Sequence, residues 1–111
     1  MASYKQFRES LNEDENSLVI KVLRKLEAED AQRVHDSTVI VRLMMTEKYR
    51  FTDIQIANML QLSIDFVSDI RRVLWFRLRP RPWSYAKIYE RVNLSPCVVG
   101  SIREQLASLN L

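Results

Sequence analysis

Between residues 71 and 83 the chain reads RRVLWFRLRPRPW, five arginines interleaved with three aromatic rings. Arginine forks match the geometry of phosphate oxygens, and indole rings offer faces on which unpaired bases can stack. Arg71, Arg72, Arg77, Arg79 and Arg81 are therefore candidate phosphate contacts. Trp75, Phe76 and Trp83 are candidate anchors for a partner. If the helix expected here frays before Pro80, RPRP becomes an extended basic strap able to lie along a backbone or minor groove. The plainer alternative puts Leu74, Leu78 and one or both tryptophans in a core, with the arginines solvated or paired to Asp65, Asp69 and Glu90.

Other residues promise less. His35 is the only histidine, and Asp36 beside it is not enough for a metal or a catalytic pair. Cys97 is the only cysteine, so intrachain disulfides and cysteine metal clusters are excluded and a reducing compartment is expected. It follows Pro96 at a helix start, but without a base or second thiol it reads as an inert small residue. Glu13, Asp14 and Glu15 are consecutive and diverge. Gly-rich phosphate loops, nucleophile elbows and paired carboxylates are absent from the sequence. Enzyme activity, a cofactor, a metal and a small-molecule ligand are not expected.

The elements that must position these side chains follow from composition. A chain of 111 residues, 47% apolar and 28% charged, has the balance of one globular domain. One Gly, three Pro and no Asn-Gly or Asp-Gly pair leave little room for hairpins, so the class is all-α, with about six helices. The start MASYKQFRES has no apolar stretch, and no run approaches the roughly 20 apolar residues that span a bilayer. A cytoplasmic, nucleoid-associated protein with no membrane partner is the expectation. Residues 1–36 hold six Lys/Arg against eight Asp/Glu, a net −2, and residues 37–111 hold eleven against six, a net +5. That polarity suits a nucleic-acid binder with an acidic accessory end.

Residues 1–16 read as a polar N-terminal arm. Residues 17–48 read as supporting or dimerisation helices. One is capped by Asn16 or Ser17, has Leu18, Val19, Val22, Leu23 and Leu26 on one face, and continues beyond Leu26 as the exposed end of one long helix or as a link. Another is capped by Ser37 or Thr38 and buries Val39, Ile40, Leu43 and Met44, with Arg42, Lys48 and Arg50 solvated. Beyond them FTDIQIANMLQLSIDFVSDIRRVL is followed, thirty-two residues later, by WSYAKIYERVNLSPCVVGSIREQL. Superposed, Thr52 meets Ser84, Ile56 meets Ile88, Leu62 meets Leu94 and Ser63 meets Ser95. Val67 meets Val99, Ile70 meets Ile102, Arg71 meets Arg103 and Leu74 meets Leu106. Thr52 and Ser63 cap helices over about 53–61 and 64–78, which Pro80 and Pro82 end. Ser84 caps a helix through about Asn93, Leu94-Ser95 form the turn, and Pro96 takes the first position of a helix through about Leu109.

This spacing resembles the helix-turn-helix superfamily: Ile56-Ala57, Leu60, Leu62, Val67 and Ile70 match it position by position. Ala57 is the small side chain that lets two steeply crossed helices approach. Residues 51–79 form the first unit. Residues 83–109 form a second, in which Tyr89 stands where Ala57 does, so that unit is splayed or degenerate. Gln61 and Asn93 occupy the turn positions where a glycine is missing. The resemblance, which extends to the tandem units of sigma-factor domains and small transcription regulators, implies a DNA-associated transcriptional regulator binding duplex DNA. A phage or mobile element is one candidate source. It places Ser63 and Ser68 near the major groove, with Lys87 and Arg91 assisting from the second unit. Asp65 and Asp69 on the same outward face are poor partners for phosphate-lined walls. The rival expectation is a protein-interaction module docking on RNA polymerase or another protein through Trp75, Phe76 and Trp83. A homodimer through residues 17–48 is a further option.

Overall fold

The computed structural model describes residues 13–46 and 50–111, and among these every regular element is an α-helix. There are five: α1 Glu13–Met45, α2 Asp53–Leu60, α3 Ile64–Leu78, α4 Tyr85–Tyr89 and α5 Pro96–Ser108. The polar arm expected over 1–16 lies, through residue 12, outside the described residues, as does Lys48.

One helix, α1, replaces the two expected over 17–48. The caps proposed for them fail for a local reason. Ser37 and Thr38 both turn their hydroxyls back along the helix, donating to the Val34 carbonyl at 2.7 and 3.0 Å. Hydroxyls bonded back to a carbonyl of their own helix are not free to accept from the amides of a new one, so neither residue caps. With no Gly or Pro between residues 13 and 45, nothing else stops the chain, and Asn16 and Ser17 also lie inside the helix.

The chain divides into two units, Met1–Gln32 and Arg33–Leu111. In the first, Leu18, Val22 and Leu26 are exposed, at i, i+4 and i+8 along α1. The second holds the core: Ile40 and Val41, Ile56 and Ala57, Val67, Ile70, Val73 and Leu74, Ile88, and Val98, Ile102 and Leu106. Each fully buried branched side chain contributes about 1.5–3 kcal/mol. Val34, Leu43, Met44 and Met45 pack against this core from α1.

The thirty-two-residue repeat governs how the core is filled. Ile56 and Ile88, Val67 and Val99, Ile70 and Ile102 are matched pairs, each fully buried. The caps expected at Thr52, Ser63 and Ser84 are present, and Ser95, expected in the turn, caps α5 as well. Thr52 and Gln55 form a reciprocal capping box, at 3.2 and 2.9 Å. The hydroxyls of Ser63, Ser84 and Ser95 accept from the amides of Phe66, Lys87 and Val98. Such a cap contributes about 1 kcal/mol.

The two hairpins differ at their turns. α2 ends in Gln61 at φ 55°, ψ 45°, and both Gln61 and Leu62 donate their amides to the Ala57 carbonyl. In the second hairpin the expected helix through Asn93 stops at Tyr89, and Asn93 is not left-handed. The two hairpins also differ at the position of closest approach. Ala57 is buried, 6% exposed, at the contact with α3, whereas Tyr89 is 40% exposed and donates its hydroxyl to the Pro96 carbonyl at 3.4 Å. A phenol ring does not fit between closely crossed helices, and Tyr89 is turned outward instead.

A left-handed backbone costs a residue with a Cβ about 1–2 kcal/mol. Gln61→Gly is therefore expected to raise unfolding free energy by about 1 kcal/mol, net of the entropy a glycine adds to the unfolded chain. Urea denaturation checks this, and a destabilised variant would contradict it.

Candidate nucleic-acid interface

The arginine-aromatic segment straddles the end of α3. That helix runs to Leu78, and Arg79 leaves it in an extended conformation. The chain then bends through Pro80 and Arg81 and returns, so that the Trp83 amide donates to the Phe76 carbonyl at 3.0 Å. The RPRP strap is thus a closed turn rather than an extended strand. Its clasp is aromatic: the Phe76 and Trp83 rings stack at 4.0 Å with an interplanar angle of 6°. Arg77 reinforces it by donating from Nη1 to the Trp83 carbonyl at 2.8 Å.

Cations are seated on these rings. The Lys87 ammonium lies 3.9 Å from the Trp83 ring centre, and the Arg79 guanidinium lies 4.8 Å from the Trp75 ring and 5.8 Å from that of Trp83. Arg77 and Arg103 stand 4.5 and 4.9 Å from the Tyr85 ring. A cation on an aromatic face contributes about 0.5–1 kcal/mol when exposed and keeps its full charge.

The five arginines singled out in the sequence therefore separate into two groups. Arg71 is neutralised: its Nε pairs with Asp53, and its Nη2 donates to the Phe51 carbonyl at 2.8 Å. Arg72 pairs with Asp69 across one turn of α3, at 3.3 Å. Arg77, Arg79 and Arg81 have no carboxylate at ion-pair distance among the described residues, and neither do Lys87 and Arg91. Arg81 and Arg91 are exposed.

The serines expected near a groove are engaged within the fold. Ser63 caps α3, and Ser68 donates its hydroxyl to Asp53 at 3.1 Å. Of the aromatic anchors, Phe76 is buried in the core. Trp83, with Phe76 and Lys87 on it, has no free face to offer. Trp75 differs: it is 60% exposed, edge-on to Phe76, over a depression of about 520 Å³ lined also by Met44, Met45, Leu74 and Leu78. The outward side of α3 opens instead on a groove of about 630 Å³ that carries Asp36, Asp65 and Asp69 with Arg33 as its cation.

Sequence reasoning passed over Arg103 and Tyr85. The repeat carries the signal: a shift of thirty-two residues places Tyr85 on Asp53 and Arg103 on Arg71, so the second copy lacks the acid that holds the first copy's arginine. Among the described residues no helix is long and apolar enough to cross a membrane. Compared with protein-family models, curated proteins and solved structures, the chain matches none.

Proposed function

We propose that this chain is a small DNA-associated transcriptional regulator that holds duplex DNA mainly by its backbone. In this reading α2–α3 is a helix-turn-helix unit, and α4–α5 is its degenerate copy. Phosphate contacts come from Arg77, Arg79, Arg81, Lys87 and Arg91, on the turn after α3 and on the second hairpin. The observation that supports it is the division of charge: these five cations lack acidic partners among the described residues, while Arg71 and Arg72 are paired. The acidic groove beside α3 argues against base reading by that helix, so affinity exceeds sequence discrimination.

Five phosphates neutralised imply a log–log slope of affinity against salt of roughly −4 to −5. Fluorescence anisotropy with a labelled duplex at rising salt measures it, and a flat dependence or no binding at low salt rejects the reading. Arg79→Ala combined with Arg81→Ala removes two of the five contacts and is expected to flatten the slope by about 2. Arg77 is left intact in that variant because its guanidinium holds the Trp83 carbonyl.

The exposure of Trp75 favours a second reading, a helix-turn-helix skeleton that docks on RNA polymerase or another protein. Large aromatic side chains set in apolar depressions are frequent interface anchors. Trp75→Ala would then abolish capture of the partner while weakening duplex binding only slightly, through the lost seat of Arg79, the reverse of the arginine variant.

A further inference from the structure

The two hairpins solve the same position differently. In the first, Arg71 lies between the Asp53 carboxylate and the Phe51 carbonyl, and the Ser68 hydroxyl donates to the same carboxylate. Thirty-two residues on, Asp53 becomes Tyr85, Ser68 becomes Gly100, Phe51 becomes Trp83 and Arg71 becomes Arg103. The carboxylate is replaced by a ring, and the Trp83 carbonyl is already taken by Arg77. Arg103 is left with no hydrogen-bond or ion-pair acceptor among the described residues, resting on Tyr85 at 4.9 Å from its centre.

Arg77 and Arg103 share the Tyr85 ring and line one depression of about 450 Å³, together with Ser84, Ala86, Ala107 and Leu111. Two like charges held about one ring repel each other, and a bound anion reverses the sign of that term. Guanidinium groups offer planar forks that fit a phosphate better than a point cation does. Arg77 is already oriented by the carbonyl of Trp83, whose ring is clamped on Phe76, so less freedom is lost on binding.

We propose that Arg77 and Arg103 form a phosphate-binding pair on either side of the α3–α5 depression, with a nucleic-acid backbone phosphate as occupant. The occupant's identity rests on the nucleic-acid reading above; the pair itself does not. Arg103 joins the interface as a binding residue, and Tyr85 becomes the residue that keeps it unpaired.

The test uses the full chain and two probes, inorganic phosphate and a short DNA duplex, with chloride at matched ionic strength as control. Arginine Nε–H resonances report binding by nuclear magnetic resonance. Both probes are expected to shift Arg77 and Arg103 saturably. Arg103→Gln should abolish the phosphate response and weaken duplex binding about 5–10-fold near 0.1 M salt, with the salt slope little changed because Arg77 still holds the shared phosphate. Tyr85→Asp restores the first hairpin's acid and is expected to reproduce that loss with all cations present. Arg103 is exposed, so the glutamine variant stays folded even if the Tyr85 variant does not. Saturable phosphate shifts without duplex binding would keep the pair and reject the nucleic-acid reading. Duplex binding indifferent to Arg103→Gln, with no phosphate response, would reject the pair and keep that reading. Silence toward both probes would overturn both.

Discussion

Ala57→Tyr is expected to cost about 3 kcal/mol or more, while Tyr89→Ala, its counterpart in the repeat, costs less than about 1 kcal/mol. The contrast follows from where the two side chains lie. Ala57 is buried against α3, and its carbonyl accepts both amides that close the turn, so a phenol ring there must force the helices apart. Tyr89 already points outward, with a long bond from its hydroxyl to the Pro96 carbonyl. A loss of 3 kcal/mol is a large share of the 5–15 kcal/mol that stabilises an ordinary domain. Urea denaturation of both variants decides the point, and equal costs would show that the two hairpins are packed alike.

Trp83→Ala is expected to cost about 2–3 kcal/mol and, on the proposed nucleic-acid reading, to weaken duplex binding about tenfold. The stability loss comes from the stack on Phe76 and the seats of Lys87 and Arg79 on the indole. The affinity loss comes from order. Without the clasp, residues 79–82 must be fixed at the moment of binding, and ordering even a few residues offsets part of the interaction energy. Trp83→Phe keeps a ring on Phe76 and should recover most of the stability. Trp75→Ala removes an indole of similar size from an exposed site and should cost under about 1 kcal/mol. Thermal unfolding and anisotropy on the same three variants separate a clasp from a surface patch. If Trp83→Ala binds duplex as tightly as the native chain, the turn does not organise the contacts.

Much of the fold was legible because its determinants are local. The caps at Thr52, Ser63 and Ser84, the proline stop after Leu78 and the period of the buried isoleucines each depend on residues within a turn or two of one another. The misreadings also had local causes. Ser37 and Thr38 are residue types that cap helices or bond backwards inside them, and only the neighbouring backbone selects between these uses. Asn tolerates the left-handed region better than Gln, yet Gln61 adopts it and Asn93 does not, because Ala57 lets the first hairpin close tightly enough to require one.

Charge behaved differently from shape. The run RRVLWFRLRPRPW announces five equivalent arginines, and nothing in it separates Arg71 from Arg79. That separation came from residues 18 positions away for Arg71, where Asp53 waits at the start of α2, and from one helical turn for Arg72. The sequence by itself determined that this chain is helical, where its hairpins begin and which side chains fill them, because capping and burial follow periodicity. Only the tertiary structure decided which cations remain unpaired and which rings keep an open face. Ion pairing and stacking depend on distances between elements that the chain brings together from far apart.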